Sequence, residues 1–107
     1  MTRDRIITTL RGNAAEIRDA GVVALYLYGS AAADAGRDDS DIDLFADVDY
    51  GRFGFVSYMH LRDMFSRLLG RPVDFTTRRA LQPDIRSAIE ASAVKAFDES
   101  FGSVAAE

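Results

Sequence analysis

A chain of 107 residues, with nearly half of them apolar, has room for one domain and a real core but not for two. It contains no cysteine, which excludes disulfides, thiolate metal sites and cysteine nucleophiles. The net charge is −4 and the arginines are scattered, so there is no clustered basic face of the kind that polynucleotide binding needs; Arg78 and Arg79 are the only adjacent basic pair.

The opening MTRDRIITTLRG mixes charge into its apolar residues and does not read as a signal peptide. No apolar run reaches the length of a membrane span, so a cytoplasmic location and no membrane partner are expected. From Thr2 to Ala20, the residues Ile6, Ile7, Leu10, Ala14 and Ile17 recur at helical spacing, with Gly21 as a stop. Gly12 and Asn13 weaken the middle of that helix. Val22 to Tyr28 is an apolar, β-prone run without alternation, the pattern of a strand covered on both faces. Gly29-Ser30 breaks it, and Ser30 is placed to cap a short helical turn through Ala31-Ala32-Ala33. A polar loop follows from Asp34 to Ser40.

The second strand, Asp41 to Val48, alternates. Ile42, Leu44, Ala46 and Val48 take one side, and Asp41, Asp43 and Asp47 the other. A turn at Asp49-Tyr50-Gly51 leads to a helix from Phe55 to Leu69, whose buried stripe is Tyr58, Leu61, Phe65, Leu68 and Leu69, and Gly70 ends it. A third strand, Pro72 to Thr77, sets Val73 and Phe75 against Asp74 and Thr76. A last helix starts near Pro83 and is expected to bury Ile85, Ile89 and Phe97. The expectation is a small α/β (α+β) fold: a sheet of about three strands with helices packed against it, forming a single domain over 1–97, with 98–107 as a frayed tail.

The chemistry concentrates in Gly29-Ser30, ten intervening residues, then Asp41-Ile42-Asp43. Two carboxylates at i and i+2 of a strand share a face, roughly 7 Å apart at the backbone, and can converge on one hard cation. Mg²⁺ suits such a site, because it takes one or two carboxylates and completes its shell with water and phosphate oxygens. Asp74 lies on the polar face of the third strand. If that strand pairs beside the second, three carboxylates gather, and two metals held there could flank an in-line displacement at phosphorus. Gly29 lets backbone approach a ligand closely, and Ser30 adds a donor for a phosphate oxygen. Arg37 is near enough in sequence to assist.

Other motifs fail. Asp39 to Asp43 resembles the start of an EF-hand loop, but Leu44 and Tyr50 stand where Gly and Glu are required. No Gly-Lys-Ser/Thr follows Gly29, so this is not a P-loop. His60 has no ligand partner at metal spacing, and Tyr26 and Tyr28 read as strand packing residues.

Leu27-Tyr28-Gly29-Ser30, Asp39-Ser40-Asp41-Ile42-Asp43-Leu44 and Arg71-Pro72-Val73-Asp74-Phe75 together resemble the minimal nucleotidyltransferase (MNT) family of the DNA polymerase β-like superfamily. The segment Ile85 to Ala91 is similar to that family's last helix, so the resemblance runs from about Ile6 to Phe97. It implies a polymerase β-like nucleotidyltransferase fold, with Asp41, Asp43 and Asp74 as catalytic and metal-holding residues and Gly29 and Ser30 on the phosphates. It further implies two Mg²⁺ ions, ATP as donor, and a HEPN-domain toxin as partner in a hetero-oligomer. In that family mode AMP is attached to a tyrosine of the toxin, and the chain is its antitoxin. The sequence departs from many relatives in carrying Ala31-Ala32-Ala33 where a basic residue follows Gly-Ser. Two alternatives stand beside this reading: neutralisation by binding alone, and transfer to a small molecule such as an aminoglycoside.

Overall fold

A computed structural model describes residues 2–34 and 40–101. The first helical stretch is two helices, α1 (Arg3–Gly12) and α2 (Ala14–Asp19), rather than one. Thr2 caps α1 by accepting the Arg5 N–H at 3.3 Å. Asn13 interrupts it, its side-chain amide donating to the Thr9 carbonyl at 2.9 Å. That local bond, next to a helix-weakening Gly12, offers the backbone an alternative to a continuous helix. The apolar stripe survives the break, and Ile6, Ile7, Leu10, Ala14 and Ile17 are all buried.

Strand β1 (Val22–Tyr28) leads into the single turn α3 (Gly29–Ala32), and β2 (Ile42–Val48) follows. Helix α4 (Phe55–Leu69) matches its expected bounds and closes on Gly70, whose φ of 64° is the left-handed conformation of a helix stop. Ser57 Oγ accepts the Gly54 N–H at 3.2 Å and anchors its first turn. Strand β3 (Val73–Thr77), helix α5 (Pro83–Ser92) and strand β4 (Val94–Phe97) complete the chain.

The sheet has four strands in the order β3-β2-β1-β4. β1 pairs antiparallel with β2 and β4, and β2 pairs parallel with β3 across the α4 connection. β1 is an interior strand whose apolar run serves both faces, with Leu25 and Leu27 in the core and Tyr26 and Tyr28 half-buried on the other side. The fourth strand corrects the expectation that Phe97 belongs to the last helix. Ala93, Lys95 and Ala96 are good helix formers, but Ala93 turns extended (φ −68°, ψ 148°) and pairing with β1 outweighs propensity. Arg11 fixes the new strand by donating from Nε to the Ala96 carbonyl at 2.6 Å. Phe97 is buried as expected, whereas Ile85 stays 47% exposed and no residue of α5 is buried.

One core lies between the sheet and the α1, α2 and α4 helices, drawing in Leu25, Leu27, Leu44, Leu61, Phe65 and Phe75. The opposite sheet face carries Tyr26, Tyr28, Asp43, Phe45, Asp47 and Asp74. Helix α5 approaches that side, with Glu90 joined to it through Arg78. The main core is thus on one face; on the other, Phe45 is buried under Tyr26 and the Arg78 guanidinium, and the polar residues gather toward the Asp43–Asp74 end. Among the described residues, no helix is long and apolar enough to cross a membrane.

Candidate active site

Register places the carboxylates. In the parallel ladder Asp43 of β2 stands directly opposite Asp74 of β3, and alternation puts both on the face away from α1, α2 and α4. Asp41 precedes the first residue of β2 and is exposed, Asp43 is half-buried, and Asp74 is exposed. In the antiparallel ladder Tyr28 stands opposite Asp43 on the other side. Two adjacent pairings thus set Tyr28, Asp43 and Asp74 side by side across three strands.

This neighbourhood raises the proton affinity of Asp43 and of Tyr28. Burial pushes the Asp43 carboxyl above its ordinary value, and the charges of Asp74 and Asp41 push it further. Burial, then Asp43 and Asp74, pushes the Tyr28 phenol up to about 12, so it remains a neutral hydroxyl at physiological pH. Among the described residues no lysine or arginine forms an ion pair with Asp41, Asp43 or Asp74. An uncompensated carboxylate cluster of this kind costs folding free energy unless something cationic joins it.

Gly29 opens the turn at the end of β1 with φ of 70°, in the left-handed region. A Cβ built there would lie 2.5 Å from Asp43 Oδ2, so glycine is required both for the turn and for the carboxylate beside it. Ser30 follows, exposed, but it does not cap α3. Tyr28 occupies the cap position, and no side chain makes the capping bond. A single helical turn carries little dipole, so what Gly29 and Ser30 offer is free N–H groups and one hydroxyl. Arg37 lies outside the described residues.

About 13 Å along β2 from Asp43, at a strand's rise per residue, Asp47 accepts two hydrogen bonds from Arg78: Nε to Oδ1 at 2.7 Å and Nη2 to Oδ2 at 3.0 Å. Arg78 Nη1 donates to Glu90 of α5 at 2.5 Å. Its guanidinium also covers the stacked rings of Tyr26 and Phe45, 4.9 and 5.0 Å from their centroids. The two carboxylates hold its pKa above the ordinary arginine value. This brace ties β2, the turn after β3 and α5 together across the polar face.

A family model described as polymerase beta nucleotidyltransferase matches residues 7–100. The chain belongs to that family. A Methanocaldococcus jannaschii protein named as a protein adenylyltransferase is 30% identical over 71 residues, 64% of this chain and 71% of the relative. A solved structure described as a minimal nucleotidyltransferase superposes with a TM-score of 0.77 at 26% identity, covering 88% of this chain and 95% of that one. A second, from a Shewanella oneidensis complex of a tri-AMPylated HEPN toxin with an MNT antitoxin, gives a TM-score of 0.55 at 16% identity over 86% and 72% of the two chains, a likeness of fold. The protein is accordingly a nucleotidyltransferase with a polymerase β-like, minimal nucleotidyltransferase fold.

For this nucleotidyltransferase, the donor set fits Mg²⁺ in a particular way. Among the described residues no three acidic or imidazole groups converge on one point. The adjacent Asp43 and Asp74 carboxylates, with Asp41 two residues before Asp43, match an ion that takes one or two carboxylates and leaves its other positions to water and phosphate. Their mutual repulsion, with no cation ion-paired to them among the described residues, points the same way.

Two consequences can be measured. Gly29→Ala forces the Asp43 carboxylate aside and places alanine at positive φ, which costs about 1–2 kcal/mol. The expected outcome is a lower denaturation midpoint together with a loss of transfer larger than the stability change explains. Arg78→Ala removes one cation from two carboxylates whose side chains are about a third exposed (36% and 33%), between the surface and buried limits. The expected cost is about 2 kcal/mol, read as a lower urea midpoint and diminished by added salt. Arg78→Lys should restore little of it, because lysine cannot make the two-pronged contact with Asp47.

Sequence reasoning did not find this brace. Asp47 and Arg78 are 31 residues apart. Their only sequence signals are an acid on the polar face of β2 and an arginine pair just past β3. The sequence marks Tyr28 as a packing residue, which it is against Phe45, and its position opposite Asp43 follows only from the β1–β2 register.

Proposed function

We propose that this nucleotidyltransferase transfers AMP from ATP, with Mg²⁺, to a hydroxyl of a partner protein, and that the partner is a HEPN-type toxin which it restrains as an antitoxin. The observation that carries the reading is the pairing of Asp43 with Asp74 beside the Gly29-Ser30 turn, on a sheet face with no second domain over it among the described residues. Among the described residues nothing encloses an acceptor beside these carboxylates, which suits an acceptor that is itself a folded protein. Two likenesses support the choice: the relative named for protein adenylylation, and the shared fold with an antitoxin found in complex with an AMPylated HEPN toxin. In this reading the pair forms a hetero-oligomer.

In the proposed reaction the acceptor hydroxyl oxygen bonds to the α-phosphorus of ATP. The bond from that phosphorus to the bridging oxygen breaks, and pyrophosphate leaves. Gly29 and Ser30 hold the departing phosphates through their N–H groups and the Ser30 hydroxyl. Asp41 and Asp43 would hold Mg²⁺, with Asp74 completing the second metal position. Mg²⁺, when bound, offsets the charge of the triphosphate and of the transition state. Asp74, exposed on the edge strand, faces the approaching acceptor and takes up the hydroxyl proton.

The test is intact-mass analysis of a HEPN protein encoded beside this chain, after incubation with the chain, ATP and Mg²⁺. A gain of one or more AMP units, absent with Asp43→Asn, is the expected result. A stable complex with unchanged mass would replace catalysis by neutralisation through contact. Saturating Mg²⁺–ATP should also raise the melting temperature, since ligand at a hundredfold excess over its Kd contributes about 2.7 kcal/mol.

A further inference from the structure

The turn that follows β1 has left-handed backbone at both ends. Gly29 enters it at φ of 70°, and Asp34 leaves it at φ of 58°, the one non-glycine residue at positive φ among those described. Aspartate takes up that conformation more readily than most residues, but it persists only where neighbours fix it. The neighbour here is α1. Asp34 Oδ1 accepts the Arg3 N–H at 3.0 Å, which satisfies one of the N–H groups left unpaired at a helix start and sets a carboxylate at the positive end of the helix dipole. Arg3 returns the contact, its Nη1 donating to the carbonyl of Ala32, the last residue of α3, at 3.1 Å. The partners of these two bonds are 31 and 29 residues apart in sequence. Exposed Asp4 lies 4.0 Å from Arg3 Nε, a surface pair that contributes little. Ile6, Ile7 and Leu10 seat α1 in the core. The turn is therefore fastened at its exit to an element that the core holds still, while at its entry Gly29 lies against Asp43.

We propose that Arg3 is a positioning residue for nucleotide binding: from the first turn of α1 it fixes where Gly29 and Ser30 stand beside Asp43. It touches no reacting atom and acts through the Ala32 carbonyl, together with Asp34. A single helical turn needs such a fastening, because the first turn of a helix costs more conformational freedom than its few bonds return. The bonds that close this one are long, from the Ala33 N–H to the Gly29 carbonyl at 3.3 Å and from the Asp34 N–H to the Ala31 carbonyl at 3.2 Å. The two contacts from α1 fall on the same stretch and supply what those bonds lack. This role rests on the reading in which Gly29 and Ser30 take the phosphates, and it makes their grip depend on a residue far outside the Gly-Ser motif.

Hydrogen exchange and titration calorimetry test it on the full chain without requiring turnover, well below the unfolding midpoint. Arg3→Ala should speed exchange of the Ala33 and Asp34 amides. It should also weaken binding of α,β-methylene-ATP with Mg²⁺ by about tenfold, the loss expected of a hydrogen bond from a charged donor. Arg3→Lys should recover most of that affinity, since an ammonium can still donate to the Ala32 carbonyl. Asp34→Ala, which loses the acceptor and sets alanine at positive φ, should weaken binding to a similar degree. Asp34→Asn keeps an acceptor oxygen and tolerates the left-handed region, so it should bind as the wild type does. Arg5→Ala, exposed on the same turn of α1, should do so too. Unchanged amide exchange in Arg3→Ala would overturn the inference. So would faster exchange with unchanged affinity, because Arg3 would then be a structural contact only. Ser30→Ala separates the two readings. If it binds weakly while Arg3→Ala binds normally, the positioning role alone fails; if it binds as tightly as the wild type, the phosphate reading fails and takes this role with it.

Discussion

Asp43→Asn should lower AMP transfer by about a thousandfold or more while making the protein without nucleotide or metal more stable. The first effect follows from removing the half-buried carboxylate that stands against both Asp74 and Gly29. A metal ligand at a phosphoryl-transfer site supplies several kcal/mol of transition-state stabilisation, and about 4 kcal/mol is a factor of roughly a thousand. The second effect has the opposite sign because the folded structure raises the proton affinity of Asp43 through burial, Asp74 and Asp41. A carboxyl whose folded pKa lies above its unfolded value is destabilising at any pH above the folded value, and the penalty is relieved as pH falls through it. The amide removes the penalty at neutral pH. Melting curves should therefore show a higher midpoint for the variant than for the wild type in the absence of divalent cations. Adding Mg²⁺–ATP should stabilise the wild type and leave the variant nearly unmoved. A variant that retains transfer, or that melts lower than the wild type without metal, would remove Asp43 from the centre of the site.

Phe75→Ala should cost about 4 kcal/mol, a large part of the 5–15 kcal/mol that holds a domain of this size together. Phe75 is 2% exposed, and its ring meets three others: Phe65 at 5.1 Å edge-on, Tyr58 at 5.6 Å stacked and Phe53 at 6.5 Å edge-on. Two of those rings lie on α4 and one in the turn before it, so the substitution loosens the joint between α4 and β3. The midpoint of thermal unfolding should fall by roughly 20 °C. Because Asp74 is the preceding residue on an edge strand, transfer should fall as well, and saturating Mg²⁺–ATP should recover part of both. A loss below about 1 kcal/mol would mean that this joint does not hold β3 in register.

The order of amino acids alone dictates a good deal here, because many elements are decided by local terms. The alternation of Ile42 to Val48, the apolar run of Val22 to Tyr28 and the helix from Phe55 to Gly70 are written in periodicity and in a glycine stop, and each element lies where those signals put it. The same alternation assigns Asp43 to a polar face before any partner strand is known. Membership in the nucleotidyltransferase family was legible as a resemblance carried by Leu27-Tyr28-Gly29-Ser30, Asp39 to Leu44 and Arg71 to Phe75; that the Gly29 turn meets Asp43 is a matter of register.

Other features depend on partners distant in sequence. Local propensity favours helix through Ala93 to Ala96, and only pairing with β1 makes that segment a strand. The stripe of Ile85 and Ile89 predicts burial, but α5 is joined to the sheet through the Arg78–Glu90 ion pair, and Ile85 remains exposed. Asp43 meets Asp74 through the parallel register of β2 and β3, which the α4 crossover sets by packing Phe65 and Tyr58 on Phe75. Arg78 finds Asp47 and Glu90 through the same arrangement. A strand's own pattern says which side chains share a face; which strand lies beside it, and in what register, is decided by the core on the other side of the sheet.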